Sequence, residues 1–149
     1  MICSSKPNWE GTWSGSLVNF PLKPDAVEVK VRMDIGPFPL EDQTCSTWRT
    51  TYFPVGQNES VKDYRLCRGT GENDLFIDEG NNVTLACQWL ANILISPFKF
   101  GDLLLVSLTR QEGDTLQDEI YTISNPASTQ RVQSMKTRGI QRLSFKRAQ

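Results

Sequence analysis

Val27, Val29, Val31, Met33 and Ile35 alternate with Glu28, Lys30, Arg32 and Asp34, so that five apolar residues share one side of an extended segment and four charges the other. A period of two is the signature of a half-buried β-strand. Helical periodicity is nearly absent from the rest of the chain. A first strand opens with Gly11-Thr12-Trp13 and is separated from this one by Pro21, Pro24 and Asp25. Further strands are predicted at Thr44 to Phe53, Ser60 to Arg68, Asp74 to Asp78, Asn82 to Trp89, Ile93 to Lys99, Leu103 to Arg110 and Thr115 to Ile123. A last one runs from about Gln130 to Lys146, as one piece or two. The apolar run Trp89 to Ile95 has no diagnostic period and reads as a strand end and a bend.

Turn chemistry separates these segments: Gly56-Gln57-Asn58, Gly69-Thr70-Gly71, Glu79-Gly80-Asn81-Asn82, Gly101-Asp102, Glu112-Gly113-Asp114 and Asn125-Pro126. Pro37 and Pro39 close the second strand, because neither can donate to a ladder. Many short strands with tight turns predict an all-β sandwich or barrel in one domain spanning residues 1–149. A chain of 149 residues buries a core without help from metal or disulfides.

Composition removes several functions. The chain has no histidine, which excludes His-ligated haem, Ser-His-Asp and Cys-His catalysis, and His-containing zinc sites. Sixteen Lys and Arg balance seventeen Asp and Glu, so no global charge bias points to nucleic acid or to an acidic membrane. No apolar run approaches the roughly 18 residues that span a bilayer. No cofactor or metal is implied.

Cys3, Cys45, Cys67 and Cys87 are widely and irregularly spaced. That spacing, the size of the chain and a cytoplasmic compartment predict free, partly buried thiols. The amino terminus lacks the pattern of a secretory signal, so the chain either stays in the cytosol or has lost a leader. On this view Asn58-Glu59-Ser60 and Asn82-Val83-Thr84 match the glycosylation pattern by chance.

Near the amino terminus stands Asn8-Trp9-Glu10-Gly11-Thr12-Trp13. Gly11 is expected to let the chain approach a neighbour at a barrel's closed end, with Trp13 as an apolar plug over that end. This Gly-x-Trp opening, the strand rhythm and the basic closing segment resemble the calycin superfamily of lipocalins and fatty-acid-binding proteins. Trp9 to Trp13, Arg131-Val132-Gln133 and Leu143 to Arg147 are most similar to lipocalin-like proteins of photosynthetic organisms. The resemblance implies an antiparallel up-and-down barrel of about 8–10 strands with a ligand cavity. It also implies a basic residue packed over the plug. Arg138, Arg142 and Lys146 are available for that position, with Arg142 preferred. The secretory signal, long terminal helix and second motif of secreted lipocalins are missing.

Within such a barrel, Trp48 and Tyr52 share one strand face and are expected to line the cavity. The opposite register places Cys45, Thr47, Arg49, Thr51 and Phe53 inside. Tyr64 shares a face with Leu66 and Arg68, whose guanidinium suits a ligand carboxylate at the cavity mouth. A solvated Arg beside a turn is the plainer reading. Trp89 and Met33 complete the expected wall. Asp118, Glu119, Tyr121, Asp74 and Asp78 are the acid–base candidates, on segments otherwise indistinguishable from a hydrophilic outer face.

The expected function is binding of a small hydrophobic or amphipathic molecule. An isomerase, cyclase or lyase using the same cavity is one alternative, and an interaction protein with a filled barrel is another. Oligomeric state is left open by the sequence.

Overall fold

The computed structural model describes residues 6–125 and 131–148. Ten antiparallel strands follow one another: β1 (Gly11–Phe20), β2 (Val29–Ile35), β3 (Cys45–Phe53), β4 (Ser60–Arg68), β5 (Leu75–Gly80), β6 (Val83–Leu90), β7 (Ile93–Phe100), β8 (Leu103–Glu112), β9 (Thr115–Ser124) and β10 (Thr137–Arg147). Each pairs with its neighbours in sequence, and β10 returns to β1, so the sheet closes as an up-and-down barrel. Closure is incomplete at one place: β6 and β7 pair only through Gln88–Leu90 and Ile93–Ile95, at the ends of the strands next to their turn. Gln130, expected near the start of the last strand, lies outside the described residues, as does Cys3. No helix among the described residues is long and apolar enough to cross a membrane.

The register carries one alternation around the whole barrel. Trp13 lies opposite Met33, Met33 opposite Thr50, Thr50 opposite Lys62, and Leu66 opposite Ile77. Leu75 lies opposite Cys87, Leu94 opposite Thr109, Thr109 opposite Asp118, Asp118 opposite Leu143, and Leu143 opposite Leu17. The buried apolar members fix this set as the inner face. Lys30, Arg32, Asp34, Arg49, Asp63 and Arg65 alternate with it and point outward. The bend within the ambiguous Trp89–Ile95 run is a two-residue turn, with Ala91 and Asn92 at φ of 50° and 61°.

Two glycines divide the task expected of Gly11. Gly11 has φ of +133°, a region that favours glycine. The close approach itself occurs at Gly15, where an added Cβ would stand 1.7 Å from the Ser144 carbonyl oxygen on β10.

The thiol expectation fails for one pair. Cys45 and Cys67 are directly opposite in the β3–β4 register and form a disulfide. Cys87 is a buried free thiol.

Candidate functional site

One end of the barrel is closed by the segment preceding β1. Trp9 is fully buried there and makes edge contacts with Trp48 and Trp89 at ring-centroid distances of 5.1 and 5.5 Å. Phe38, from the β2–β3 connection, lies 5.9 Å from Trp9 and 5.5 Å from Trp89. Trp13 donates from Nε1 to the Trp9 carbonyl at 2.9 Å, which ties the plug segment to the first strand. Such rings add roughly 0.5–1.5 kcal/mol per pair to the burial of their area.

The cation over Trp13 is Arg147, whose guanidinium carbon is 4.3 Å from the ring centroid. Arg142 was the expected residue, and alternation explains the difference. On β10, Leu143 and Phe145 face the core and Arg147 continues their parity. Arg142 faces outward, paired with Glu119 at 2.8 Å and lying over Phe20. Arg147 also donates to the carbonyls of Glu10 and Asn8 at 3.0 and 2.6 Å, clamping the plug segment across the base.

Four of the six expected cavity residues belong to this closed half. Met33 and Trp48 are buried in the core, and Trp89 packs against it. Arg68 is 6% exposed, and its Nε and Nη1 donate to the backbone. It donates to the carbonyls of Pro39 at 2.7 Å and Gly71 at 2.9 Å, and to that of Glu72, while stacking over Phe38. It ties the loops of the base together. With Phe38 and Trp89 it lines a recess of about 320 Å³ at this end of the barrel.

Tyr52 and Tyr64 also pack against this core, Tyr64 directly opposite Trp48, and border the other half, where inward-facing side chains keep contact with solvent. Tyr52, Tyr64, Leu105, Ser107, Asp118 and Ile120 all face inward yet are only part-buried, and Lys62 is exposed. Two recesses open here. One of about 230 Å³ is bounded by Asn19, Leu105, Ile120, Thr122 and Gln141. The other, about 710 Å³, lies under the β1–β2 loop, where inward-facing Leu17 and Val29 meet Leu22 and Val27. A barrel's diameter grows with strand number, and eight strands already enclose one small ligand in lipocalins. Ten strands leave more room.

A polar group crosses this open half. Lys62 Nζ lies 5.4 Å from the Tyr52 ring centroid. Asp118 accepts from Thr109 Oγ1 at 3.3 Å and interacts with Lys62 and Ser107. Burial pushes the Asp118 carboxyl up to about 6, against the opposing pull of its hydrogen bonds and Lys62. The Tyr52 phenol is pushed up to about 12, first by burial and then by Asp118 and Tyr64. Tyr64 is raised by burial and by the charge and hydrogen bond of Glu79. Both phenols therefore stay protonated at neutral pH and serve as hydrogen-bond donors. Deeper in, burial raises the Cys87 thiol.

The acid–base candidates separate by face. Asp118 alone points inward. Glu119 and Tyr121 point outward and share a contact of 3.5 Å. Asp74 and Asp78 are turn acceptors, for the Thr70 and Gly80 amides respectively. Lys62, Glu79 and Thr109 were not singled out from the sequence. The signal that finds Lys62 is its even spacing with Tyr64 and Leu66.

No group of three or more Cys, Asp or Glu side chains among the described residues is arranged to hold a metal ion. No known family model matches the chain, nor does any curated protein or solved structure.

Proposed function

We propose that the barrel binds one amphipathic small molecule in its open half, apolar part against the wall and polar group toward Tyr52, Lys62, Tyr64 and Asp118. The observation that carries this reading is that these four polar side chains converge inside a solvent-open barrel half, above a sealed tryptophan base. Apolar burial supplies about 25 cal/mol per Å² before the costs of association, and a few placed polar groups set orientation. The partial exposure of inward-facing residues speaks against a barrel filled by its own side chains.

The test is solvent extraction and native mass spectrometry of the purified protein, followed by titration with fluorescent fatty-acid and retinoid probes. Saturable binding that weakens about fivefold or more in Tyr52→Phe or Lys62→Ala supports the reading, each loss corresponding to one hydrogen bond or charge contact. Absence of any co-purifying molecule together with no probe binding overturns it.

One observation favours a second reading, an isomerase, cyclase or lyase on the same scaffold. A carboxyl that titrates near pH 6 beside an amine and a phenol is equipped to move a proton at neutral pH. Turnover of a bound molecule that disappears in Asp118→Asn, while binding persists, distinguishes catalysis from carriage.

A further inference from the structure

The outer wall is divided. On β2–β4 it is mostly charged, with Arg32, Asp34, Arg49, Asp63 and Arg65 projecting beside exposed Phe53 and Val61. On the opposite side, the half of the wall nearest the mouth is apolar. Pro97, Val106, Tyr121, Ile140 and Phe20 lie in one register row across β7, β8, β9, β10 and β1. The adjacent row toward the mouth holds Leu104 and Ile123 and begins at Lys99. All these outward apolar residues are at least partly exposed. Among the described residues no second layer of strands or helices covers them, and only the Arg142 guanidinium over Phe20 and the Glu119 contact of Tyr121 reach across.

The rim above this face continues its character. Phe100, at the end of β7, is 76% exposed, and Val132, before β10, is 81% exposed. Lys99, Arg131, Lys136 and Arg138 are all exposed on the same side, with Asp102 as the nearby acid. The β9–β10 segment is held there by the Ser124 amide donating to the Lys136 carbonyl at 2.9 Å, and by Arg138 donating to Ser124 Oγ at 2.5 Å. An apolar face bordered by cations matches the interface of an anionic bilayer, whose headgroups take the charges while its acyl boundary takes the apolar side chains.

We propose that the mouth half of the β7–β10 and β1 outer wall, with its basic rim, docks on an anionic lipid surface. The charged wall on β2–β4 keeps the opposite side in water, so the protein lies on the bilayer and does not span it. Contact through this side sets the cavity mouth next to the lipid. The inference rests on the outer face alone and stands whether or not the cavity binds a ligand.

The experiment is flotation of the full chain with vesicles of phosphatidylcholine alone and of phosphatidylcholine with phosphatidylserine, at low and high salt. Binding to the serine-containing vesicles at least about tenfold stronger than to neutral ones, and weakened by salt, is expected for several basic residues near the surface. The exposed charge reversals Lys99→Glu and Lys136→Glu, which disturb no core contact, should abolish that preference. Val106→Glu should lower binding to both vesicle types by tenfold or more, and Arg49→Glu on the opposite wall should leave both unchanged. Failure to bind either vesicle overturns the proposal. So does binding indifferent to the two charge reversals, or self-association of the wild-type chain that Val106→Glu disperses, which would assign the face to a second copy.

Discussion

Arg147 and Trp13 face one another in the β1–β10 register, and the guanidinium carbon stands 4.3 Å from the indole centroid. The same guanidinium holds the Glu10 and Asn8 carbonyls, so one side chain connects the last strand, the first strand and the plug segment. Arg147→Ala removes a cation–π contact and two charge-assisted hydrogen bonds. A loss of about 2 kcal/mol is expected, read as a lower urea midpoint. Arg147→Lys should recover only part of it, since an ammonium lacks the planar fork. Arg142→Ala, on the solvent side, should cost less than about 1 kcal/mol.

Gly15→Ala should be among the most damaging single substitutions in the barrel. Its Cβ would meet backbone, the Ser144 carbonyl oxygen at 1.7 Å, which cannot rotate away. β1 and β10 would have to separate at the closing seam. A loss of about 3 kcal/mol or more is expected in denaturant unfolding. By contrast, Gly56→Ala, where nothing lies within 4 Å, should cost about 1 kcal/mol from its positive φ alone.

Reduction of the Cys45–Cys67 bridge should destabilise the protein without abolishing the barrel. The bridge joins residues 22 apart in sequence. By loop-closure entropy it restricts the unfolded chain by about 3 kcal/mol. Thermal unfolding with and without reductant measures this, and Cys45→Ser/Cys67→Ser should make the midpoint insensitive to reductant.

Asp118 predicts an unusual pH dependence. Its carboxyl titrates near 6 in the folded chain and near 3.8 when unfolded, so the folded state binds the extra proton between those values. Stability on this account is greatest below about pH 4 and falls as pH rises to about 6, by up to about 3 kcal/mol. Asp118→Asn should therefore raise the thermal midpoint at pH 7. It should also flatten the stability profile between pH 4 and 6, as calorimetry across that range would show.

The choice of an up-and-down barrel came from the resemblance of the two chain ends. The alternation from Val27 to Ile35 and the spacing of turns were enough to read an all-β sandwich or barrel, because each is a local property of the chain. Which side chains face inward was legible for the same reason at Trp48, Tyr52, Tyr64 and Trp89. Depth along the barrel axis was not. Trp48 and Tyr52 are four residues apart on one face, yet one packs in the base and the other opens on solvent. That difference depends on the tilt of the strands and on where Trp9 inserts, neither of which is local. The Cys45–Cys67 pairing was hidden likewise, since only the β3–β4 register makes the two residues opposite. Arg142 against Arg147 was a question of parity on the last strand, and Phe145 two residues earlier carried the answer.

The crowding of the base has an optical consequence. All four tryptophans of the chain, Trp9, Trp13, Trp48 and Trp89, lie in or against one core cluster, and Trp48 stands directly opposite Tyr64. Indole emission therefore reports first on the plug and, through Trp48, on the floor of the open half. A molecule entering above the plug should perturb tyrosine absorbance together with part of the indole spectrum. Loosening of the plug should shift the indole spectrum alone, so the two events can be followed separately in the unlabelled protein.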